Sequence, residues 1–140
     1  MKKKRPKKRK PIVLMSGEGR VYPMGRIRSI FKADGKETDN QYSISEWWLE
    51  PNTKGPHTHA QDYDHAWYVI KGTMMILIEN KWINCSEGSF VVIPAGVPHG
   101  FENRSKKKAG ILSFNNEAGF EKEMAGISKW FHENPPDNAV

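Results

Sequence analysis

The chain has 140 residues, enough for one ordinary domain, and 37% of them are hydrophobic and 27% charged. These values exclude a fibrous or wholly disordered chain, and no apolar run approaches the roughly 18 residues that a membrane span requires. A single cysteine, Cys85, excludes an intramolecular disulfide and a disulfide-stapled secreted scaffold, so we expect a cytoplasmic protein.

The net charge of +6 is concentrated at the start of the chain. Residues 2–10 hold eight of the 22 basic residues, while the rest of the chain holds 14 basic and 16 acidic residues. Residues 1–11 have no apolar side chain after Met1 and include two prolines, which predicts a disordered basic tail. A solvated extension is the simplest interpretation. Nucleic-acid binding through residues 2–10 is the alternative, although no aromatic residue alternates with the lysines to stack on bases.

From Ile12 onward, short apolar segments alternate with turn signals such as Lys71-Gly72 and Glu87-Gly88. This rhythm is typical of an all-β sandwich or barrel, which we place at residues 12–115. The predicted strands are 12–15, 20–22, 26–31, 41–50, 66–71, 73–79, 81–84, 89–94, 99–103 and 109–114.

One helix is predicted, within residues 116–134. Four apolar side chains in this segment recur at i, i+4, i+7 and i+11, which is the spacing of one helix face. They are Phe120, Met124, Ile127 and Phe131. Pro135-Pro136 end the helix and begin a short tail, 135–140. The simplest interpretation is a helix docked on the barrel, and a partner-binding helix is the alternative.

Four of the five histidines fall in two short segments, with His57, His59 and His65 in the first and His99 in the second. His57 and His59 are two residues apart, so on an extended strand both imidazoles point to one face. A proline precedes each of His57 and His99 and restricts the backbone that enters them. Neutral imidazoles suit a divalent transition metal, and they do not distinguish Fe, Mn, Zn, Ni and Cu.

These two segments resemble the motifs of the cupin superfamily. The second motif is matched at every fixed position by Gly88, Pro94, Gly96, His99 and Asn103. The first motif has its His-x-His pair at 57–59 and its final glycine at Gly72, but the usual glutamate is absent. The resemblance covers about residues 40–115. It implies a jelly-roll β-barrel with a metal held inside, in which the motif glycines, proline and asparagine shape the backbone.

Which residue is assigned as the fourth ligand depends on the end of the first motif from which residues are counted. Counting back from Gly72 places it at His65, and counting forward from His59 places it at Asp64. We favour His65 because the predicted strand 66–71, which lies between it and Gly72, has a length that fixes the geometry, whereas the loop at 60–64 can absorb an extra residue. The predicted metal ligands are His57, His59, His65 and His99. The alternative is a cupin that has lost its metal and keeps these histidines as polar core residues.

Strand alternation selects the side chains expected beside the metal. If His65 and His99 face inward, so do Trp67 and Phe101. A tryptophan from the preceding strand should join them; parity leaves Trp47 or Trp48 open, and we take Trp48 as the candidate. Such a lining favours an aromatic or partly apolar small molecule, with ordinary barrel core as the alternative.

Four neutral histidines leave a divalent ion with its full +2 charge, which favours an anionic chelating ligand. The resemblance implies a metal-dependent enzyme, and we expect a dioxygenase-like or C–C-cleaving oxidoreductase. The alternatives are a metal-dependent sugar-acid isomerase and a non-catalytic small-molecule sensor. Cupins commonly pair through their barrels, and the predicted strands at 12–15 and 20–31 offer an edge to a partner's sheet, so we expect a homodimer.

Overall fold

The computed structural model describes residues 8–140, and within them the chain forms ten strands, two 3-10 helices and one α-helix. The strands are β1 (Arg20–Met24), β2 (Ile27–Ala33), β3 (Ser43–Leu49), β4 (Thr53–Lys54), β5 (His65–Lys71), β6 (Thr73–Ile78), β7 (Lys81–Ser86), β8 (Phe90–Ile93), β9 (His99–Asn103) and β10 (Ala109–Asn115). The 3-10 helices are Gly35–Thr38 and Phe120–Glu123, and the α-helix is α1 (Met124–Glu133).

The strands form two antiparallel sheets that enclose the core. The larger sheet has the order β1-β2-β3-β10-β5-β8, and the smaller has the order β4-β9-β6-β7. Inward side chains alternate with outward ones along β3 and β5, as expected for strands with one face in a core. This arrangement is the all-β jelly roll predicted from the sequence.

Every strand predicted from residue 20 onward has a counterpart in the structure, but the one predicted at 12–15 is wrong. Residues 8–15 are exposed and have no regular secondary structure, and Ile12 and Leu14 lie along the outer face of the larger sheet. The apolar run there has no strand partner. The predicted basic tail falls largely on residues 1–7, outside the described residues; beyond them, Arg9 Nη1 donates to the carbonyl oxygen of Glu37 at 2.9 Å.

Two motif residues show how the loops are held. Asn103 is fully buried, and its Nδ2 donates to the carbonyl oxygens of Leu49 at 3.2 Å and Lys107 at 2.7 Å. Gly72 joins β5 to β6 with a φ of +69°, and a Cβ there would lie 2.6 Å from the carbonyl oxygen of Lys108. The turn therefore requires glycine.

The C-terminal segment docks on the barrel, as its apolar stripe predicts. Met124 and Phe131 are buried, and Phe120 and Ile127 pack against the same core. The regular helix is shorter than predicted because residues 116–119 precede the first helical turn. Within residues 8–140, no helix has the length and apolar character needed to span a membrane.

Candidate metal centre

Three of the four predicted histidine ligands meet at one end of the barrel. His65 begins β5 and His99 begins β9, and their ring centroids are 4.6 Å apart. His59 forms an isolated β-bridge with His99, which brings these two rings to 4.7 Å. The backbone of two strands and one bridge therefore assembles the cluster.

All three rings are oriented by a hydrogen bond at Nδ1. The acceptors are the carbonyl oxygen of His57 for His59 at 2.7 Å, Asn115 Oδ1 for His65 at 2.8 Å, and the carbonyl oxygen of Val97 for His99 at 2.9 Å. Because these oxygens only accept, each Nδ1 carries a proton, and in the neutral form of the ring the Nε2 atom carries the lone pair. The Nε2 atoms of His65 and His99 are buried and have no hydrogen-bond partner among the described residues.

Burial keeps the two inner histidines neutral. It lowers the pKa of His99 to about 4, against the opposing effect of its hydrogen bond to Val97. Burial also lowers the pKa of His65, and the bond to Asn115 again opposes the shift. Both imidazoles are therefore uncharged at pH 7, which is the form that binds a metal ion.

His57 lines the same cavity, but its ring faces a different partner. It is exposed and lies edge-on to the Trp130 ring of α1, with the centroids 5.2 Å apart. Within residues 8–140, no three His, Cys, Asp or Glu side chains stand in ready coordination geometry. A metal ion bound by three of these histidines would therefore need the exposed ring of His57 or His59 to turn toward the buried pair.

Asp64, the alternative fourth ligand, points away from the cluster. It is exposed, and its Oδ1 accepts a hydrogen bond from the backbone N–H of Ala95 at 2.9 Å. His65 is the inward residue at this position because β5 begins with it and alternates inward from there. The Tyr63 ring packs beside the His65 ring, with the ring centroids 4.9 Å apart. Burial raises the pKa of the Tyr63 hydroxyl to about 12.

A cavity of about 360 Å³ opens beside the histidines. The predicted side chains Trp67 and Phe101 line it, but the expectation for Trp48 is wrong. Odd-numbered residues of β3 face inward, so Trp47 lines the cavity and is 6% exposed. Trp48 lies on the outer face, where its Nε1 donates to Glu46 Oε1 at 2.9 Å.

The C-terminal helices supply a cavity wall that sequence reasoning missed. Four apolar side chains of this segment line the space: Phe120, Ile127, Trp130 and Phe131. The helical stripe identified three of them as packing residues, but Trp130 lies off that stripe. Two polar residues of β10 were also missed: Ser113 lies on the inner face of the strand predicted at 109–114, and Asn115 lies one residue beyond its predicted end.

The comparisons with known proteins agree with this architecture. A cupin domain family model matches residues 46–115, which is half of the chain, and the chain therefore belongs to the cupin family. This finding confirms the resemblance and the jelly-roll fold read from the two motifs.

One curated relative is the quercetin 2,3-dioxygenase of Bacillus subtilis (strain 168), 29% identical over 106 residues. The match covers 73% of this chain but 30% of that protein, so the chain spans less than a third of its length. An RmlC-like cupin from Shewanella frigidimarina has a TM-score of 0.66 at 13% identity, with 78% of this chain and 93% of that chain covered. A predicted oxalate decarboxylase from Thermotoga maritima has a TM-score of 0.69 at 14% identity, covering 76% and 99%. At these identities, the likeness to the two solved structures shows the fold alone.

Proposed function

We propose that the chain is a metal-dependent cupin enzyme that acts on a small chelating molecule, as a dioxygenase-like or C–C-cleaving oxidoreductase. The observation that carries the proposal is the pair of buried Nε2 atoms on His65 and His99, each with a lone pair and no partner. A buried nitrogen acceptor without a hydrogen bond is costly, and a metal ion can accept the lone pair that a neutral imidazole in this tautomer offers.

The ligand set fits a divalent transition metal. His65 and His99 are held inside the barrel, His59 adjoins them, and His57 is near enough to line the same cavity. Because all four offer an imidazole nitrogen, Fe, Mn, Zn, Ni and Cu all suit the site. When bound, such an ion supplies Lewis-acid or redox chemistry to a chelated substrate.

The cavity favours a compact, partly apolar substrate. Its volume of about 360 Å³ lies near the lower end for small-molecule sites, and its walls are mainly aromatic. The few polar groups that line it, besides the histidines, are Gln61, Ser113 and Asn115. A sugar acid would leave several hydroxyl groups without partners on these walls, so the lining favours the oxygenase over the isomerase.

The Bacillus subtilis relative supports the same choice, because that protein is a quercetin 2,3-dioxygenase and its match covers most of this chain. A small-molecule sensor would use the same cavity without turnover. A test of catalysis therefore distinguishes the oxygenase from the sensor, whereas a test of ligand binding does not.

The test is metal analysis of the full chain purified without added metal, followed by oxygen uptake with a flavonol and a 1,3-diketone. We expect about one bound ion per chain and its loss in the H65A/H99A double variant. H132A is the matched control, because His132 is exposed on α1 and does not line the cavity. Metal-dependent oxygen uptake supports the oxygenase, metal binding without uptake favours the isomerase or the sensor, and a wild-type chain without metal contradicts a metal-dependent enzyme.

A homodimer remains a prediction, and two features support it. β1 lies at one edge of the larger sheet, where a second copy can add a strand. The outer face of that sheet also exposes large apolar side chains from β5, β8 and β10. They are Tyr68, Phe90, Val92 and Phe114. Light scattering over a range of protein concentrations gives the oligomeric state directly.

A further inference from the structure

We propose that Asn115 is a positioning residue that holds His65 in the tautomer and orientation of a metal ligand. The inference rests on the proposed metal-binding function. Its starting point is the 2.8 Å hydrogen bond between His65 Nδ1 and Asn115 Oδ1. Both side chains are almost wholly buried, at 5% and 4% exposure, so water does not compete for this bond.

A chain of hydrogen bonds supports the orientation in which the Asn115 oxygen faces the imidazole. The indole Nε1 of Trp67 donates to Ser113 Oγ at 3.1 Å, and the Ser113 hydroxyl donates to Asn115 Oδ1 at 3.3 Å. Asn115 therefore presents its oxygen, and an oxygen accepts only from a protonated Nδ1. The Nε2 lone pair of His65 follows from this polarity.

The network is built on two paired strands. Asn115 lies directly opposite His65 in the β10–β5 ladder, and Ser113 lies directly opposite Trp67. Residues two apart on a strand share a face, so all four side chains point into the barrel. Backbone pairing sets their separations, and a site supported in this way holds its geometry more closely than one on loops.

Among the three clustered histidines, His65 is the one whose outer partner is a side chain. His59 and His99 are held by the main-chain carbonyls of residues two positions earlier, which substitution does not remove. The orientation of His65 can therefore be released by changing Asn115 alone. Loss of such an outer partner typically weakens metal affinity about 10–100-fold.

The first readout is the imidazole tautomer of His65 in the metal-free full chain, measured by long-range ¹⁵N–¹H NMR. We expect the Nδ1–H form in the wild type and in N115D, which keeps an acceptor oxygen. In N115A, the acceptor is gone, and we expect the Nε2–H form to become populated. An unchanged Nδ1–H tautomer in N115A would overturn the proposal.

The second readout is Co²⁺ affinity and its visible absorption spectrum. We expect N115A to bind Co²⁺ about 10–100-fold more weakly, with an altered spectrum, and N115D to restore wild-type binding. S113A should weaken binding to a smaller degree. S45A is the matched control, because Ser45 accepts from the buried indole of Trp47 at 3.0 Å without touching a histidine; it should leave Co²⁺ binding unchanged.

The outcomes are distinguishable. If the wild type binds no Co²⁺, the proposed function fails, and the tautomer measurement still decides the role of Asn115. If the wild type binds Co²⁺ and N115A matches it in affinity and spectrum, the positioning role is wrong. If N115A does not fold, the same comparison is made with S113A against S45A, and equal binding by these two variants overturns the proposal.

Discussion

Replacing His99 with leucine should stabilise the metal-free protein. His99 is 1% exposed, and its Nε2 has no partner among the described residues, so the folded apo protein carries an unmet hydrogen bond there. Leucine is apolar, is similar in size and leaves no buried nitrogen. A site shaped for a ligand is expected to cost stability when the ligand is absent.

The expected change in the free energy of unfolding follows from the two ring nitrogens of His99. Removing the unpartnered Nε2 relieves about 1–3 kcal/mol. Losing the bond from Nδ1 to the carbonyl oxygen of Val97 costs less, about 0.5–1.5 kcal/mol, because Val97 is only half-buried. The balance is about 1 kcal/mol in favour of His99→Leu. For a chain of this size, that corresponds to a rise in Tm of roughly 2–4 °C.

The assay is thermal unfolding in EDTA and in excess Co²⁺. In metal at 100 times Kd, the wild type should gain about 2.7 kcal/mol and become the more stable protein, whereas His99→Leu should gain little. His132→Leu, on the exposed side of α1, should leave both melting temperatures nearly unchanged. A His99→Leu variant clearly less stable than the wild type in EDTA, or equally stabilised by Co²⁺, would refute the reasoning.

Two further predictions concern the neighbourhood of the site, and a third concerns the N-terminal residues. Trp130→Ala should weaken binding of an apolar ligand, measured by fluorescence titration, at a stability cost below about 2 kcal/mol, because this side chain is 43% exposed. Asp64→Ala should lose about 0.5–1.5 kcal/mol of stability, because its hydrogen bond from Ala95 is removed, but it should still bind metal. His65→Ala should bind metal more weakly. The opposite result for the two variants would identify Asp64 as the ligand. A chain that begins at Ile12 should fold and bind metal normally; if residues 2–10 bind nucleic acid, the full chain alone should show salt-dependent DNA binding.

Local patterns predicted most of the barrel because strands, turns and motif spacings are short-range features. Counting back from Gly72 selected His65 over Asp64, and the structure shows His65 facing inward, because β5 has a regular period of two. The choice between Trp47 and Trp48 failed for a related reason. Alternation says that neighbours face opposite sides, but the inner side of β3 is set by its pairing with β2 and β10.

What the sequence does not predict depends on long-range contacts. Residues 12–15 are all apolar, and this pattern predicts a strand. In the structure they lie unpaired on the outer face of the larger sheet. The spacing of His57 and His59 suggests two equivalent ligands. In the structure, His57 faces Trp130, a residue from a helix far along the chain, and no local pattern connects the two.

The C-terminal segment, residues 116–140, helps to determine the shape of the cavity beside the histidines. It lies outside residues 46–115, the part that the cupin family model matches, yet it forms one wall of the cavity. The Asp34 carboxylate anchors its start by accepting from the backbone N–H groups of Gly119 at 2.6 Å and Glu121 at 2.7 Å. Arg26 secures its end through the carbonyl oxygen of Pro136. The matched barrel therefore provides the histidines and most of the cavity lining, whereas one apolar wall belongs to a segment beyond the matched region. Any substrate of the proposed enzyme would have to fit against that wall, so the shape of this cavity should guide the choice of candidate molecules.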